Sequence, residues 1–498
     1  MRLIRRNSNV RHLPHGRRRS RTSRIDGFGP MKIGAASIAN LLALVSVAVG
    51  IVIFVAAPLW GLEPVATRVL GLTIAAVALW VTGVVSPAWP AFMIFVVVMI
   101  FDLAPASVAF SGFGAGAAWL TFAGVIFGIA IHRTGLGGRL ADSMLGRFGR
   151  SYRGAVIGTV IVGFLFCFMM PSSMGRCAIL VPLVLAMADA LGLKEGRRGR
   201  TGLVMAAVFG TVLSGYAILP AGIPTIIMAG AAESLYGVVI RFGPYMLVHF
   251  PAAGLLTMAA IIGLVLLLYP DVAEVTPSEK PVPSRSWSGA ERRLAGILVL
   301  VLGLWTTDFL HGLSPAWVGL AGAIVCAMPN IGALDSEAMA RDSDYTPWIF
   351  TVGIISLGAV IADCGLAGVI GEKVLAATDF EPGADAKNFA TMVGVFNAIA
   401  AVATTAGVPP LLTPMASGIA DAAGWPLLTV LMAHTAGQYV MFYPYQIPPI
   451  LTGALLGRVS LLSTTVMGLC WTGLYLALIA PLSFFWWRWL GMFEHAGS

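Results

Sequence analysis

One stretch of this chain occurs twice, and the second copy follows the first at a constant distance along the sequence. Residues 172–193 align without gaps on residues 404–425, with glycine, proline and an Ala-Asp-Ala triplet at matching positions. Two further blocks, which begin at Gly128 and Pro220, recur in the same order at nearly the same spacing. Three blocks in one order indicate an ancient duplication. We therefore expect the chain to fold as two related halves.

The amino-acid composition indicates whether lipid or water surrounds these halves. Hydrophobic residues make up 58% of the 498 residues and charged residues only 11%, and the mean hydropathy is +0.87. Soluble domains carry about 25% charged residues. The chain is therefore predicted to be an all-α polytopic membrane protein in contact with the lipid bilayer. Its five cysteines lack the spacing of a metal site or a disulfide framework, and we expect no cofactor and no nucleic-acid partner.

Basic residues cluster at the N-terminus. Residues 1–32 hold ten of the 31 lysines and arginines, which predicts a cytoplasmic tail at 1–34 under the positive-inside rule. The remaining chain divides into a first half at 35–269, a polar cytoplasmic linker at 270–293 and a second half at 294–498. A span needs about 20 apolar residues, so we expect about 11 spans, in two inverted repeats. The predicted location is the cytoplasmic (inner) membrane.

Glycine and proline interrupt the apolar segments inside the repeated blocks. A membrane helix cannot end in lipid, because its terminal N–H and C=O groups would lack partners. The repeated tips are therefore expected to be the turns of two re-entrant helical hairpins, at 154–191 and 389–424. By the same reasoning, Pro220–Pro224 and Pro444–Pro449 predict two broken helices. Helix N-termini at four such breaks, in matching places of two halves, are typical of the anion site of a secondary transporter.

At these residues the chain resembles the divalent anion/sodium symporter family, the carriers of dicarboxylates, sulfate and related anions within the larger ion transporter superfamily. The likeness covers nearly everything after residue 35 and is strongest at three motifs: the Gly135-Leu136 turn, the paired tips with Pro182 and Pro414 ten residues on, and the Pro444–Pro449 segment. The resemblance implies a homodimer built on a scaffold domain, formed by residues 36–106 and 294–330, and a transport domain that moves as an elevator.

The chain departs from this family at the tips and breaks. The family's Ser-Asn-Thr tips bind substrate carboxylate and sodium, and here Ser-Ser-Met stands at 172–174 and Thr-Thr-Ala at 404–406. The family's Thr-Pro-Pro-Asn motifs have become Ile-Pro-Thr-Ile at 223–226 and Ile-Pro-Pro-Ile at 447–450. Fewer side-chain oxygens remain for sodium, a hard cation that prefers oxygen ligands. The sequence therefore predicts weak or absent sodium coupling, with Na⁺ or H⁺ as the coupling ion.

An arginine, Arg176, stands four residues past Ser172 at the start of the hairpin's returning helix. Intramembrane charge is expensive and marks a functional site by default. We expect Arg176 either to bind an anionic substrate bidentately or to supply the positive charge that sodium gives in the family. The predicted substrate-binding residues are Ser172, Ser173, Gly175, Arg176, Ile223, Pro224, Thr225, Thr404, Thr405, Gly407, Gln446 and Pro448. The predicted ion-coupling residues are Ser172, Gly215, Thr404 and His434.

The leading interpretation is a secondary active transporter of a small anion, and two alternatives stay open. The first alternative is an arsenite or cation/proton exchanger of the same superfamily. Carboxylates at the four breaks would favour it, and the sequence has none there. A membrane enzyme should cluster His, Asp or Glu near one face, and a receptor should carry a soluble signalling domain. The longest polar insert is the 270–293 linker, so we expect neither.

Overall fold

The computed structural model describes residues 35–58, 61–148, 151–170, 172–274, 286–329, 331–334 and 344–494. Within these ranges every regular element is a helix, which confirms the all-α prediction. The predicted basic tail at 1–34 and the middle of the predicted linker lie outside the described residues.

The helices of the first half follow the apolar segments of the sequence. In chain order the longer ones are α1 (Ala35–Val55), α2 (Pro64–Thr82), α3 (Ala88–Ile100), α4 (Gly116–Thr134), α5 (Leu136–Phe148), α6 (Tyr152–Met169), α7 (Ser173–Ala190), α8 (Arg198–Leu213), α9 (Ile223–Tyr236) and α10 (Phe242–Leu268). Helix α4 ends at Gly135, whose φ of 76° lies in the left-handed region that glycine adopts without strain. This glycine produces the turn that the sequence motif predicted.

The second half begins with a well-capped helix. Ser288 and Glu291 cap the first turn reciprocally, so the helix begins at Gly289, inside the predicted linker. The longer helices are α11 (Gly289–Thr306), α12 (Pro315–Ala327), α13 (Thr346–Asp363), α14 (Leu366–Ala377), α15 (Asp385–Gly407), α16 (Pro409–Ala423), α17 (Leu427–Gln438), α18 (Pro448–Leu456) and α19 (Leu461–Trp489).

Two pairs of glycines that the sequence repeat aligns adopt matching backbone conformations. Gly135 and Gly365 both have a φ of 76°, and Gly192 and Gly424 have φ values of 73° and 67°. All four end or begin helices at corresponding places in the two halves. The local structure therefore repeats with the sequence at these turns, while the two-fold relation between complete halves stays a prediction.

Both predicted broken helices are interrupted, but the interruptions begin before the prolines. Helix α8 ends at Leu213, and two 3₁₀ turns, Ser214–Ala217 and Leu219–Ala221, lead to α9. In the second half α17 ends at Gln438 and α18 begins at Pro448. Proline fits the first turn of a helix, where its missing N–H is not needed. The prolines therefore mark where each following helix starts, and the breaks extend further toward the N-terminus than predicted.

The hairpins and broken helices of the two halves pack into each other. Helix α7 packs on α8 and also on α18, and α9 packs on α13, α15 and α17. Across one such contact, the hydroxyl of Thr225 donates to the side-chain carbonyl of Gln438 at 3.0 Å. Elsewhere α1 packs on α2 and α4 packs on α12. The segments that the sequence analysis singled out thus meet in one region of the fold, although they lie far apart in the chain.

The membrane-crossing potential of the described helices agrees with a polytopic protein. Eight of them are long and apolar enough to span a membrane, or up to nine if the pair α16–α17, bent by 115°, counts as one span. Helices α3 and α12 and the segment Asn40–Val55 of α1 are shorter apolar helices. The predicted number of spans and the opposite orientation of the halves stay predictions.

Ion pairs hold the described ends of the linker. Arg197, which precedes α8, pairs with Asp271, and the Asp271 carboxylate also accepts a hydrogen bond from Gly199 N at 2.8 Å. Burial raises the pKa of Asp271, but the hydrogen bonds from Arg197 and the backbone outweigh it and hold that pKa below its ordinary value. At the other end, Arg139 of α5 forms a bidentate pair with Glu291 of α11, at 3.1 Å for both contacts.

Candidate functional site

The first tip is the short turn between α6 and α7. Helix α6 ends at Met169, α7 begins at Ser173, and the two helices pack against each other. The hydroxyl of Ser172 accepts a hydrogen bond from Gly175 N at 3.1 Å, which caps α7. Ser173 is buried. The tip therefore holds the N-terminus of α7, with its partial positive charge, within the protein.

A cavity of about 300 Å³ lies beside this tip. One wall is the face of α4 between Thr121 and His132, and the opposite wall is the tip and the start of α7. The lining is mostly apolar, and its side chains with polar groups are Thr121, His132, Ser172 and Asp344. Small-molecule sites occupy roughly 300–1,000 Å³ and have this character. Three predicted substrate-binding residues line the cavity, namely Ser172, Gly175 and Ile223.

Arg176 lies behind the tip, is 0% exposed and does not line the cavity. Its Nε donates to Thr211 Oγ1 at 3.0 Å, and its Nη1 donates to the Met170 carbonyl. Its Nη2 lies 3.0 Å from each of three acceptors, Ser173 Oγ and the carbonyls of Thr211 and Ala221. None of the ion pairs among the described residues includes Arg176. The guanidinium thus joins the tip, the end of α8 and the first break.

Gly215 makes room for this guanidinium. A Cβ atom added at Gly215 would lie 2.9 Å from Nη2 of Arg176, so a side chain there would displace the guanidinium from its present position. Gly215 is a predicted ion-coupling residue, and the structure places it against the positive charge. Thr211, which contacts Arg176 through both its hydroxyl and its carbonyl, was missed. Its signal was present in the sequence, because Thr211 aligns with Thr435 at the offset that relates Pro220 to Pro444.

The second tip differs from the first in its backbone and its charge. Thr404 interrupts α15 with a φ of 59° and a ψ of 166°, a region that is essentially reserved for glycine. Thr405 is buried. Position 408, which the repeat aligns with Arg176, is a buried valine. Among the described residues of the two tips and the helix starts that follow them, only Arg176 on the first side is a cation.

The other predicted residues organise the backbone of the breaks. The side-chain carbonyl of Gln446 accepts hydrogen bonds from two backbone N–H groups of the second break, at 2.6 and 3.3 Å. Thr225, bonded to Gln438, ties the first break to the second. The remaining residues of the predicted set lie at helix ends: Pro224, Gly407 and Pro448. Their contact with substrate stays a prediction.

His434 lies on α17, one turn before Gln438. It is 0% exposed, and neither ring nitrogen has a hydrogen-bond partner among the residues that the structure describes. The Nε2 amide of Gln438 likewise lacks a partner there. Buried polar groups are hydrogen-bonded in most proteins. This exception keeps His434 as the candidate for proton coupling, which stays a prediction.

Known proteins from bacteria and plants resemble this chain. An inner membrane protein of Escherichia coli K12, YbhI, is 24% identical over 76% of this chain and 82% of that protein. The chloroplastic dicarboxylate transporter 2 of Spinacia oleracea is 24% identical over 93% of this chain and 84% of that protein. A membrane protein of Cupriavidus necator is 27% identical over 63% of this chain and 66% of that protein, so this match spans just under two thirds of its length.

The family described as "Sodium:sulfate symporter transmembrane region" matches residues 35–493. The match begins where α1 begins and ends within the last described residues. It confirms the resemblance inferred from the tips and breaks, and it identifies an anion transporter of the membrane rather than an enzyme. The chain therefore belongs to the sodium:sulfate symporter family.

Proposed function

We propose that this protein is a secondary active transporter that carries a small anion, a dicarboxylate, sulfate or a related ion, across the inner membrane. The family supports an anion as cargo. The similarity to the dicarboxylate transporter of Spinacia oleracea supports a dicarboxylate. The observation that carries the proposal is the cavity of about 300 Å³ between α4 and the first hairpin tip.

The chemistry of the tip, on one side of the cavity, suits an anion. The hydroxyl of Ser172 accepts from Gly175 N, so its own O–H is free to donate to a carboxylate or sulfate oxygen. The N-terminus of α7 contributes partial positive charge at the same place. Arg176 lies behind the tip and donates to the Met170 carbonyl and the Ser173 hydroxyl there, so it helps to hold the tip in place.

The position of the cavity suits an elevator. One of its walls belongs to α4, which packs on α12, and the other belongs to the hairpin, which packs on α8 and α18. A displacement of the hairpin unit past α4 would carry the cavity toward the opposite membrane face. The exposed apolar side chains of α1 and α3, among them Leu44, Val52 and Ile100, suit the dimer scaffold that the resemblance implies. The transporter is thus proposed to be a homodimer.

Uptake into proteoliposomes tests the proposal. Labelled succinate, malate and sulfate are offered with and without a sodium gradient and a pH gradient. We expect saturable uptake of at least one of these anions above that of empty liposomes. Uptake of none of them under any gradient would refute an anion transporter of this class.

A pair of serine variants tests the site itself. Ser172 caps α7 and Ser460 caps α19, each by accepting a backbone hydrogen bond at 3.1 Å. Replacing either with alanine removes a helix cap at a cost of about 1 kcal/mol. Only Ser172→Ala removes a donor that faces the cavity, so we expect it to raise KM by about tenfold, while Ser460→Ala leaves KM unchanged. Equal KM values in the two variants would exclude Ser172 from the site.

A further inference from the structure

The surroundings of Arg176 have the composition of a cation site. The five acceptors around the guanidinium are all neutral oxygen atoms, from the carbonyls of Met170, Thr211 and Ala221 and the hydroxyls of Ser173 and Thr211. Carbonyl and hydroxyl oxygens are the ligands that hard metal cations prefer. We call these five atoms the oxygen cage.

Two helix ends explain why the oxygen cage needs a positive charge. Met170 directly follows α6, and Thr211 lies in the last turn of α8. The last carbonyls of a helix lack intrahelical partners, and each helix C-terminus carries about half a negative charge. Two C-termini that meet at one point therefore present about one negative charge in total. One guanidinium balances it without a carboxylate.

The two hydroxyls of the oxygen cage are held in place by the protein. Thr211 Oγ1 donates its own hydrogen to the Gly163 carbonyl at 2.9 Å, and Ser173 Oγ donates to the Ala221 carbonyl at 3.2 Å. Both hydroxyls therefore turn lone pairs toward Arg176, as they would toward a metal ion.

The second half closes the corresponding helix end without a charge. Position 408 there is valine instead of arginine. Neutral side chains donate to the carbonyls at the end of α17: Tyr475 to Ala436 at 2.8 Å, Asn397 to Gly437 at 3.2 Å and Trp471 to Tyr439 at 2.7 Å. The charge requirement is therefore met by an arginine in one half and removed by neutral donors in the other.

We propose that the guanidinium of Arg176 is a tethered cation that permanently occupies an oxygen cage suited to sodium, so that the first half needs no exchangeable sodium ion. The occupancy of the cage stands on the contacts above. Its consequence for transport, which is uptake without sodium at this half, rests on the proposed function. Removing the guanidinium should turn the cage into a site for a free cation.

Thermal unfolding of the purified protein tests the occupancy without measuring transport. Wild type and Arg176→Ala are melted in detergent with 100 mM sodium chloride or choline chloride, and again with 10 mM guanidinium chloride added. We expect wild type to melt at the same temperature in both salts. We expect sodium or added guanidinium to raise the melting temperature of Arg176→Ala by about 2–4 °C. Arg458→Ala, which removes an exposed arginine, is the control and should behave as wild type.

Two results would overturn the proposal. One is an Arg176→Ala protein whose melting temperature does not change with sodium or guanidinium. The other is a wild-type protein whose melting temperature rises in sodium by as much as that of the variant. If Arg176→Ala does not fold, Arg176→Lys and Arg176→Gln decide, because both keep a long side chain. The proposal requires that the lysine variant, which keeps the charge, ignores sodium and that the glutamine variant gains stability from it. The same response in both would contradict it.

Uptake measurements separate this inference from the proposed function. We expect wild-type uptake to be equal in sodium chloride and choline chloride. We expect Arg176→Ala to take up the anion in sodium chloride but not in choline chloride. Wild-type uptake that is abolished without sodium would refute the consequence for transport. If no anion is taken up at all, the proposed function fails, while the melting experiment still shows whether the cage holds a cation.

Discussion

Replacing Thr404 with glycine is expected to stabilise the protein, which is the reverse of what glycine does within an ordinary helix. Thr404 adopts a φ of 59° and a ψ of 166° inside α15, and a non-glycine residue in such a region stores about 1–3 kcal/mol of strain. Glycine removes this strain but loses about 0.5–1 kcal/mol to its freedom in the unfolded chain. Alanine keeps its Cβ and therefore keeps the strain. The free energy of unfolding of the glycine variant should exceed that of the alanine variant by about 0.5–2 kcal/mol.

The neighbouring residue provides the matched control. Thr405 is also buried but has helical backbone angles, so Thr405→Ala should be more stable than Thr405→Gly by about 1 kcal/mol. The order of the two variants therefore reverses between adjacent threonines. Melting curves of the four variants in the same detergent measure both orders. If the melting temperature of Thr404→Gly is equal to or lower than that of Thr404→Ala, the backbone at the second tip is not strained and the reasoning fails.

Three further predictions concern a carboxylate at a helix end, an ion pair and the buried histidine. Glu233 accepts a hydrogen bond from Gly116 N at 2.9 Å at the start of α4. The free energy of unfolding should therefore fall by about 1 kcal/mol in Glu233→Ala and by less than half of that in Glu233→Gln. Equal losses of stability in the two variants would show that Glu233 does not cap α4. The pKa of Asp271 is lowered in the folded state, so its stabilising effect is complete above the unfolded value of about 3.9 and is lost as the pH falls below it. Asp271→Asn should therefore melt lower than wild type at pH 7 and converge with it in acid, and a constant gap down to pH 3 would contradict the ion pair. His434→Ala should abolish the response of uptake to a pH gradient while leaving the response to membrane potential, and an unchanged pH response would remove His434 from the coupling path.

The sequence was sufficient to predict the membrane environment and the places where helices break. With charged residues at only 11% of the chain, the backbone must satisfy its own hydrogen bonds, and helices are the local way to do so. Glycine and proline act within one or two turns of their own position, as at Gly135 and Pro224, so their effects can be read from neighbouring residues. The onset of the first break at Ser214 was not predictable from Pro220, because proline determines only how the following helix starts.

The role of Arg176 was left open by the sequence and depends on the tertiary structure. The sequence allowed two roles for this residue, contact with substrate or replacement of sodium. Its acceptors come from the tip at Met170 and Ser173, the end of α8 at Thr211 and the break at Ala221. The buried contacts favour the second role, and contact with substrate stays a prediction.

The conformation of Thr404 illustrates the same division between sequence and structure. A threonine has no local preference for a positive φ, so its neighbours along the chain gave no sign of the strain at the second tip. The sequence by itself determined the helical class, the duplicated turns and the family, because these follow from composition and from residues close together in the chain. Only the tertiary packing decided which oxygens surround the buried charge and which residue carries the strain, because those contacts join segments that are separated in the sequence.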